Sequence, residues 1–370
     1  MLTTDPDHSA EGLGLGDAHE LLDPRNLSAA VELARRYEID GVTADQCDYS
    51  RYAALFIGAC LGFKDANLTA AQMTTNKRWM RERCREHQIF QPRFFACRTI
   101  EEVASAVEII GLPVIVKPVD NRGSFGVHKV ESEKELWPAF LDALMNAHSR
   151  EVLVEAYIEG VHITVDGCVD QDGRHHNLAM ASKTVTAGEK PIITEVFYPA
   201  KIDDGVRNHV FETNQKIMEI LGINSGLTHS EYIVDQRGRC FLVETANRGG
   251  GVLTSSKIVP YISGVDTSAL LISNALQVEF AVKPVPKNVT VVLVFFLFEP
   301  GQVINISGVD SAAAMPGVLH LRLLIKSGQT LVHPQSGAGR HGFAILAGSD
   351  ELDVSRLYEK VSAAIRIDYA

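Results

Sequence analysis

With 370 residues, 46% of them hydrophobic and 22% charged, the chain is long enough for two or three packed units and too apolar for disorder to dominate. A formal net charge of -11 and the lack of any Lys/Arg run exclude the basic face that nucleic-acid binding needs. None of the six cysteines (Cys47, Cys60, Cys84, Cys97, Cys168, Cys240) forms a CxxC pair. That argues against zinc of the usual spacing and against a disulfide scaffold, and for reduced thiols in a cytoplasmic protein.

The opening MLTTDPDHSAEG is polar and has no signal-peptide apolar core. The glycines of Gly12-Leu13-Gly14-Leu15-Gly16 follow no convincing strand and read as a flexible loop, not a dinucleotide fingerprint. Leu27 to Tyr37 has helical spacing, Ile39 to Thr43 looks like a strand, and Tyr52 to Leu61 reads as a helix. Residues 1–88 therefore read as a small parallel α/β unit that lacks a first βα element. Further on, Gly/Pro-punctuated strands alternate with helices such as Val206 to Leu221. Lys283-Pro284-Val285-Pro286-Lys287 is a stiff linker. The longest apolar run, Val289 to Phe298, is too short to span a bilayer and reads as a buried strand. Glu351 to Ile365 is a closing helix.

Chemistry first shows in LPVIVKPVDNRGSFGV. A short strand carries Lys117 at its end, followed by the loop Gly123-Ser124-Phe125-Gly126. Glycines let backbone N–H groups face an anion, and lysine adds a compact charge, which together suit nucleotide phosphates. An ordinary Gly-containing turn fits these residues equally well.

Two hairpins are signalled by Asp172-Gly173 and Arg237-Gly238. With a two-residue turn at Arg237-Gly238, Glu231 falls opposite Glu244, with His229 on the same face. Opposed carboxylates repel one another unless a divalent cation sits between them, and Asn247 nearby offers another hard oxygen for Mg²⁺. The alternative is a solvated face, since a one-residue slip separates the pair. In the first hairpin the same reasoning sets His162 opposite Lys183, and the pair His175-His176 beside the turn is expected to be exposed. Arg248 next to Gly249-Gly250-Gly251 suits a bidentate clamp on carboxylate or phosphate, or is a surface residue on a turn.

Taken in order, these segments resemble the ATP-grasp superfamily, and within it the carboxylate–amine ligases of the L-amino-acid ligase and carbamoyl-phosphate-synthase-like branch. The resemblance runs from about Thr74 to the C-terminus. It rests on Thr75-Asn76-Lys77, Val116-Lys117-Pro118, the loop from Asp120 to Val127, Val154-Glu155-Ala156-Tyr157-Ile158-Glu159-Gly160, and His229, Glu231, Glu244, Asn247 and Arg248. It implies an ATP-grasp fold of the α/β and α+β classes. The expected parts are a short, truncated first domain (1–88), a central domain (89–282, divided near 154) and a β-rich, lid-like region (283–370).

It also implies roles. Lys77 and Lys117 would contact ATP phosphates, and the loop Gly123, Ser124, Phe125, Gly126 would close over them. Glu155 and the backbone of Ala156 and Ile158 would hold adenine. Glu231, Glu244 and Asn247 would hold Mg²⁺ or Mn²⁺. Arg248, Lys183 and His229 would serve the reaction. His162 stands where many relatives have a ribose-binding Glu. The expected activity joins a small-molecule carboxylate to an amine through an acyl phosphate, without nucleic acid or membrane, in a homodimer. Competing expectations are a bicarbonate-activating, carboxylase-like enzyme and a non-catalytic nucleotide-binding protein.

Overall fold

The computed structural model describes every residue except 65, 122, 124, 187–191 and 335. The N-terminal unit holds two short parallel strands, β1 (Leu2–Asp5) and β2 (Ala18–Leu21), with Glu11–Leu15 as a 3₁₀ turn between them. Helices α1 (Leu27–Arg36), α2 (Asp48–Leu61), α3 (Leu68–Thr75) and α4 (Lys77–Glu86) follow. The strand expected at Ile39 to Thr43 does not form. Ile39 and Val42 pack onto the α1–α2 core instead, and Gly41 presses so closely on the Ala275 carbonyl that an added Cβ would lie 2.2 Å from it. Contact with a distant helix, not a neighbouring strand, extends this segment. Lys77 opens α4, and the Asn76 side chain caps it by accepting from the Trp79 N–H.

Next come β3 (Phe94–Cys97), α5 (Ile100–Ile110), β4 (Val114–Pro118), β5 (His128–Val130), α6 (Glu133–Asn146) and β6 (Val152–Ala156). They form an antiparallel sheet in the order β3-β6-β4-β5 with both helices on one face. Val114, Val116, Val152 and Val154 fill that face. By strand alternation Ile115, Lys117, Leu153 and Glu155 occupy the other.

The second sheet is built from β7 (Val161–Val169), β8 (His175–Val185), β9 (Ile193–Tyr198), β10 (Gly226–Val234) and β11 (Cys240–Ala246), with α7 (Asp204–Leu221) packed on one face. A π-helical turn at Thr254–Ile258 leads into α8 (Val259–Ser263) and α9 (Thr267–Leu276), which cover the opposite face. After residues 283–287 come β12 (Thr290–Phe296), β13 (Gly301–Ser307), α10 (Val309–Ala313), β14 (Val318–Leu323), β15 (Thr330–Leu331), β16 (Gly342–Gly348), α11 (Glu351–Ala364) and β17 (Arg366–Tyr369).

Strands β12, β16 and β14 continue the second sheet, in the order β11-β10-β7-β8-β9-β12-β16-β14. Every residue of β12 is buried, because it is covered on both faces. All six cysteines are free thiols. Among the described residues no helix is long and apolar enough to cross a membrane.

Candidate active site

Both site-bearing hairpins turn through a three-residue loop rather than the expected two, since Asp235 N–H donates to Arg239 O and Asp170 N–H to Arg174 O. In each, one aspartate oxygen accepts two backbone N–H groups: Asp235 from Arg237 and Arg239, Asp170 from Asp172 and Arg174. Gly238 (φ +74°) and Gly173 (φ +78°) supply the left-handed position. The loop shifts pairing by one, to Val234↔Cys240 and Tyr232↔Leu242. A bulge at Val243 then restores the expected partner, Glu231↔Glu244. The first hairpin does the same, with Leu178 as its extra residue and His162↔Lys183 beyond it. His175 is buried, its Nε2 2.8 Å from Thr228 Oγ1, contrary to the expected exposure. The shifted register turns it inward.

One sheet face therefore gathers the chemistry. Lys183 Nζ donates to Glu231 Oε1 at 2.6 Å. Lys77 Nζ lies 3.0 Å from Glu244 Oε2 and donates to the Asn121 carbonyl at 2.8 Å. His229 Nδ1 is 2.8 Å from Asp166 Oδ1, and its Nε2 is 3.5 Å from Glu231 Oε1. Burial opposes charge at both glutamates. The Lys183 charge, followed by His229, nevertheless holds the Glu231 carboxyl well below the usual range, and Lys77 lowers Glu244. Burial also works against His229, but Asp166 outweighs it and raises the imidazole to about 9. His162 is lowered by burial and then by Lys183.

On the four-stranded sheet, Lys117 Nζ is 2.7 Å from Glu155 Oε2. Arg81 donates Nε to Glu155 Oε1 at 2.8 Å and Nη2 to Oε2 at 3.3 Å. The Glu155 carboxylate thus faces two cations in the interior, where Arg81 and then Lys117 overcome burial and hold it at about 2. The structure turns Glu155 toward Lys117, where the resemblance had set it against adenine. Of the backbone groups expected at adenine, the Ala156 N–H donates to Arg93 O, and Ile158 is half-buried in the segment leaving β6.

In the loop after β4, Gly123 and Gly126 are both left-handed (φ +66° and +69°) and Phe125 is half-exposed. Ser124 lies outside the described residues. Gly126 sits against α6, where an added Cβ would be 2.9 Å from Asn146 Cβ and 3.1 Å from Ala143 Cα.

Arg248 donates Nε and Nη2 to Asp48 (3.0 and 3.3 Å). The next residue, Gly249, donates its N–H to Asp45 Oδ1 at 2.6 Å. Gly250 packs on Asp166, where a Cβ would lie 2.9 Å from Oδ1. Asn247 is not brought to the carboxylate pair. It stands just past the end of β11, where its Nδ2 donates to the Ser225 and Leu227 carbonyls and its Oδ1 accepts from Arg51. A cleft opens between α2, the start of α4, the loop after β4 and β11. Lys77, Asn121, Glu244, Arg248 and Asp48 line it.

Sequence reasoning missed Asp166, Arg81 and Asp48. Asp166 had a signal: a lone acid in an apolar strand, directly across from His229. Arg81 had one too, being four residues after Lys77 and so on the same helical face. Asp48 had none, because its partner is 200 residues away. Among the described residues no three His, Cys, Asp or Glu side chains cluster to hold a metal. Two opposed carboxylates still fit Mg²⁺, which keeps waters and takes substrate phosphates beside one or two protein carboxylates.

A family model described as "ATP-grasp domain" matches residues 110–256, and one described as "L-amino acid ligase C-terminal domain 2" matches residues 294–370. The chain carries an ATP-grasp domain. Lys117, the glycine loop, Glu155, Glu231, Glu244 and Arg248 all fall within it, while Lys77 lies before it. The chain is similar to a D-alanine–D-alanine ligase from Anaeromyxobacter sp. (strain K), 31% identical over 41% of this chain and 49% of the relative. It is also similar to an alanine–anticapsin ligase from Bacillus subtilis, 24% identical over 69% of this chain and 57% of the relative. The chain thus spans about half the length of the curated ligases it matches. The solved L-amino acid ligase from Bacillus licheniformis shares the ATP-grasp fold. Its TM-score is 0.80 at 19% identity, over 95% of this chain and 88% of that one.

Proposed function

We propose that the chain is an ATP-dependent carboxylate–amine ligase that forms an amide or peptide bond through an acyl phosphate and releases ADP and phosphate. One observation carries the reading: Glu231 and Glu244 are directly opposed, and each is neutralised by its own lysine. Arg248 lines the same cleft as Glu244. The matched ligase relatives and the C-terminal ligase domain favour amide formation over other uses of the fold. The substrates are a small-molecule carboxylate and a small-molecule amine. A homodimer and a cytoplasmic location belong to the same reading.

A carboxylate is a poor electrophile, so it must be given a leaving group. Lys77 and Lys117 orient the ATP phosphates while a carboxylate oxygen attacks the γ-phosphorus. The bond to the β–γ bridging oxygen breaks and ADP departs. Arg248 holds the carboxylate, then the acyl phosphate. Glu231 and Glu244 would hold Mg²⁺, which supplies neutralisation of phosphate charge. The amine nitrogen next attacks the acyl carbon and loses a proton, and the C–O bond to phosphate breaks. Lys183 and Arg248 steady the charge that develops on oxygen. Glu155, from inside the fold, holds Lys117 in place.

The test is phosphate release from MgATP across amino acids and other carboxylates, singly and in pairs. ADP and phosphate formed only with a particular carboxylate and amine together support the ligase. AMP with pyrophosphate, or ADP formed without any acid, overturns it.

A further inference from the structure

We propose that Arg81 is a positioning residue that links the nucleotide lysine Lys117 to the metal-site carboxylate Glu244, a role that rests on the ligase reading. Arg81 is fully buried on α4, one helical turn after Lys77. Its Nε and Nη2 grip both oxygens of Glu155, whose Oε2 also takes Lys117. The same Nη2 donates to the Val243 carbonyl at 2.8 Å. Val243 is the bulge residue that returns Glu244 to its place opposite Glu231. One guanidinium therefore bonds to elements of both sheets: the acid behind Lys117 on one, and the irregularity that sets Glu244 on the other.

Simple charge balance does not require this arrangement. Lys117 already faces Glu155, and a second lysine would neutralise it further. What arginine adds is a rigid planar fork that reaches a carboxylate and a carbonyl in fixed geometry. Its Nη1 is buried without a hydrogen-bond partner among the described residues, an expense that packing alone does not explain. The neighbouring strand bond, from Leu242 N–H to the Phe90 carbonyl, comes from the segment following α4. The carbonyl of the bulge residue and the N–H of its neighbour are thus both met from the α4 side.

The experiment is calorimetric ADP binding with and without Mg²⁺, which gives an affinity and a metal-enhancement factor. Arg81→Lys should weaken ADP binding through Lys117 and also lower the enhancement factor about tenfold through Glu244, in the range for residues that orient metal ligands. Thermal unfolding confirms that each variant is folded. Should Arg81→Lys not fold, Arg81→Met leaves Glu155 paired with Lys117 alone and still deprives Val243 of its donor. It should show the same loss of enhancement. Arg78→Met, on the same helix but paired with Glu151 and Glu82, should leave both numbers unchanged. A folded Arg81 variant with undiminished Mg²⁺ enhancement overturns the inference. Absence of Mg²⁺-dependent ADP binding by the unsubstituted chain instead overturns the functional reading, and this inference falls with it.

Discussion

Glu231 and Glu244 face each other across two antiparallel strands because a single bulge residue, Val243, offsets a loop one residue longer than a tight hairpin. Glu244→Gln keeps the register and removes only the charge. That change should lower kcat by about a hundredfold or more, the scale for losing one preorganised charge-stabilising group. Phosphate release, measured beside circular dichroism of the folded variant, checks this. Full turnover in Glu244→Gln would exclude the carboxylate from the reaction.

Two buried groups give stability a stepped pH dependence. His175 is pushed down by burial to about 4, so below 6.5 the unfolded chain takes a proton that the folded chain refuses. Stability should fall as pH drops from 6.5 toward 4, and His175→Gln should flatten that step. Glu155 is held at about 2 against an ordinary 4.5. Its contribution is fully present above 4.5 and lost as pH falls toward 2, so Glu155→Gln should flatten the lower step. Urea midpoints taken across pH 2 to 7 separate the two windows.

Asp48 reaches from α2 to hold Arg248. Asp48→Asn keeps the shape and removes the charge that orients the guanidinium. The expected result is a KM for the carboxylate substrate raised about tenfold, with KM for ATP nearly unchanged, since a charge-assisted pair contributes roughly 1.5–3 kcal/mol. Equal rises in both KM values would mean that Asp48 supports the whole cleft and not the arginine.

Gly126 combines a left-handed backbone with contact against α6. Gly126→Ala should displace the phosphate loop, raise KM for ATP several-fold and cost about 1 kcal/mol of stability. Steady-state kinetics and a denaturant titration measure the two effects. Unchanged ATP affinity would separate this loop from nucleotide binding.

The reading from sequence succeeded where chemistry repeats at short range. His229, Glu231 and Glu244 lie on two adjacent strands, so a period of two and an assumed hairpin bring them together, even though the assumed turn was one residue short and the bulge made up the difference. Asn247 lies past the end of β11, held by the Ser225 and Leu227 carbonyls, contacts that no period of two describes. Ile39 to Thr43 looks like a strand by composition but is held by Ala275, far along the chain. Asp48 and Arg81 act through contacts 200 and 74 residues away, which no local pattern encodes.

The strand that carries Glu244 is also the outermost strand of its sheet. An uncovered outer strand is a template on which another chain can extend the ladder. Here Phe90 and Arg81 occupy the Leu242 N–H and the Val243 carbonyl, so part of that row is already taken within the molecule. Loosening α4 would therefore do more than disturb the Glu244 carboxylate. It would bare a sticky border, and the first visible consequence of such a lesion would be self-association of otherwise folded protein.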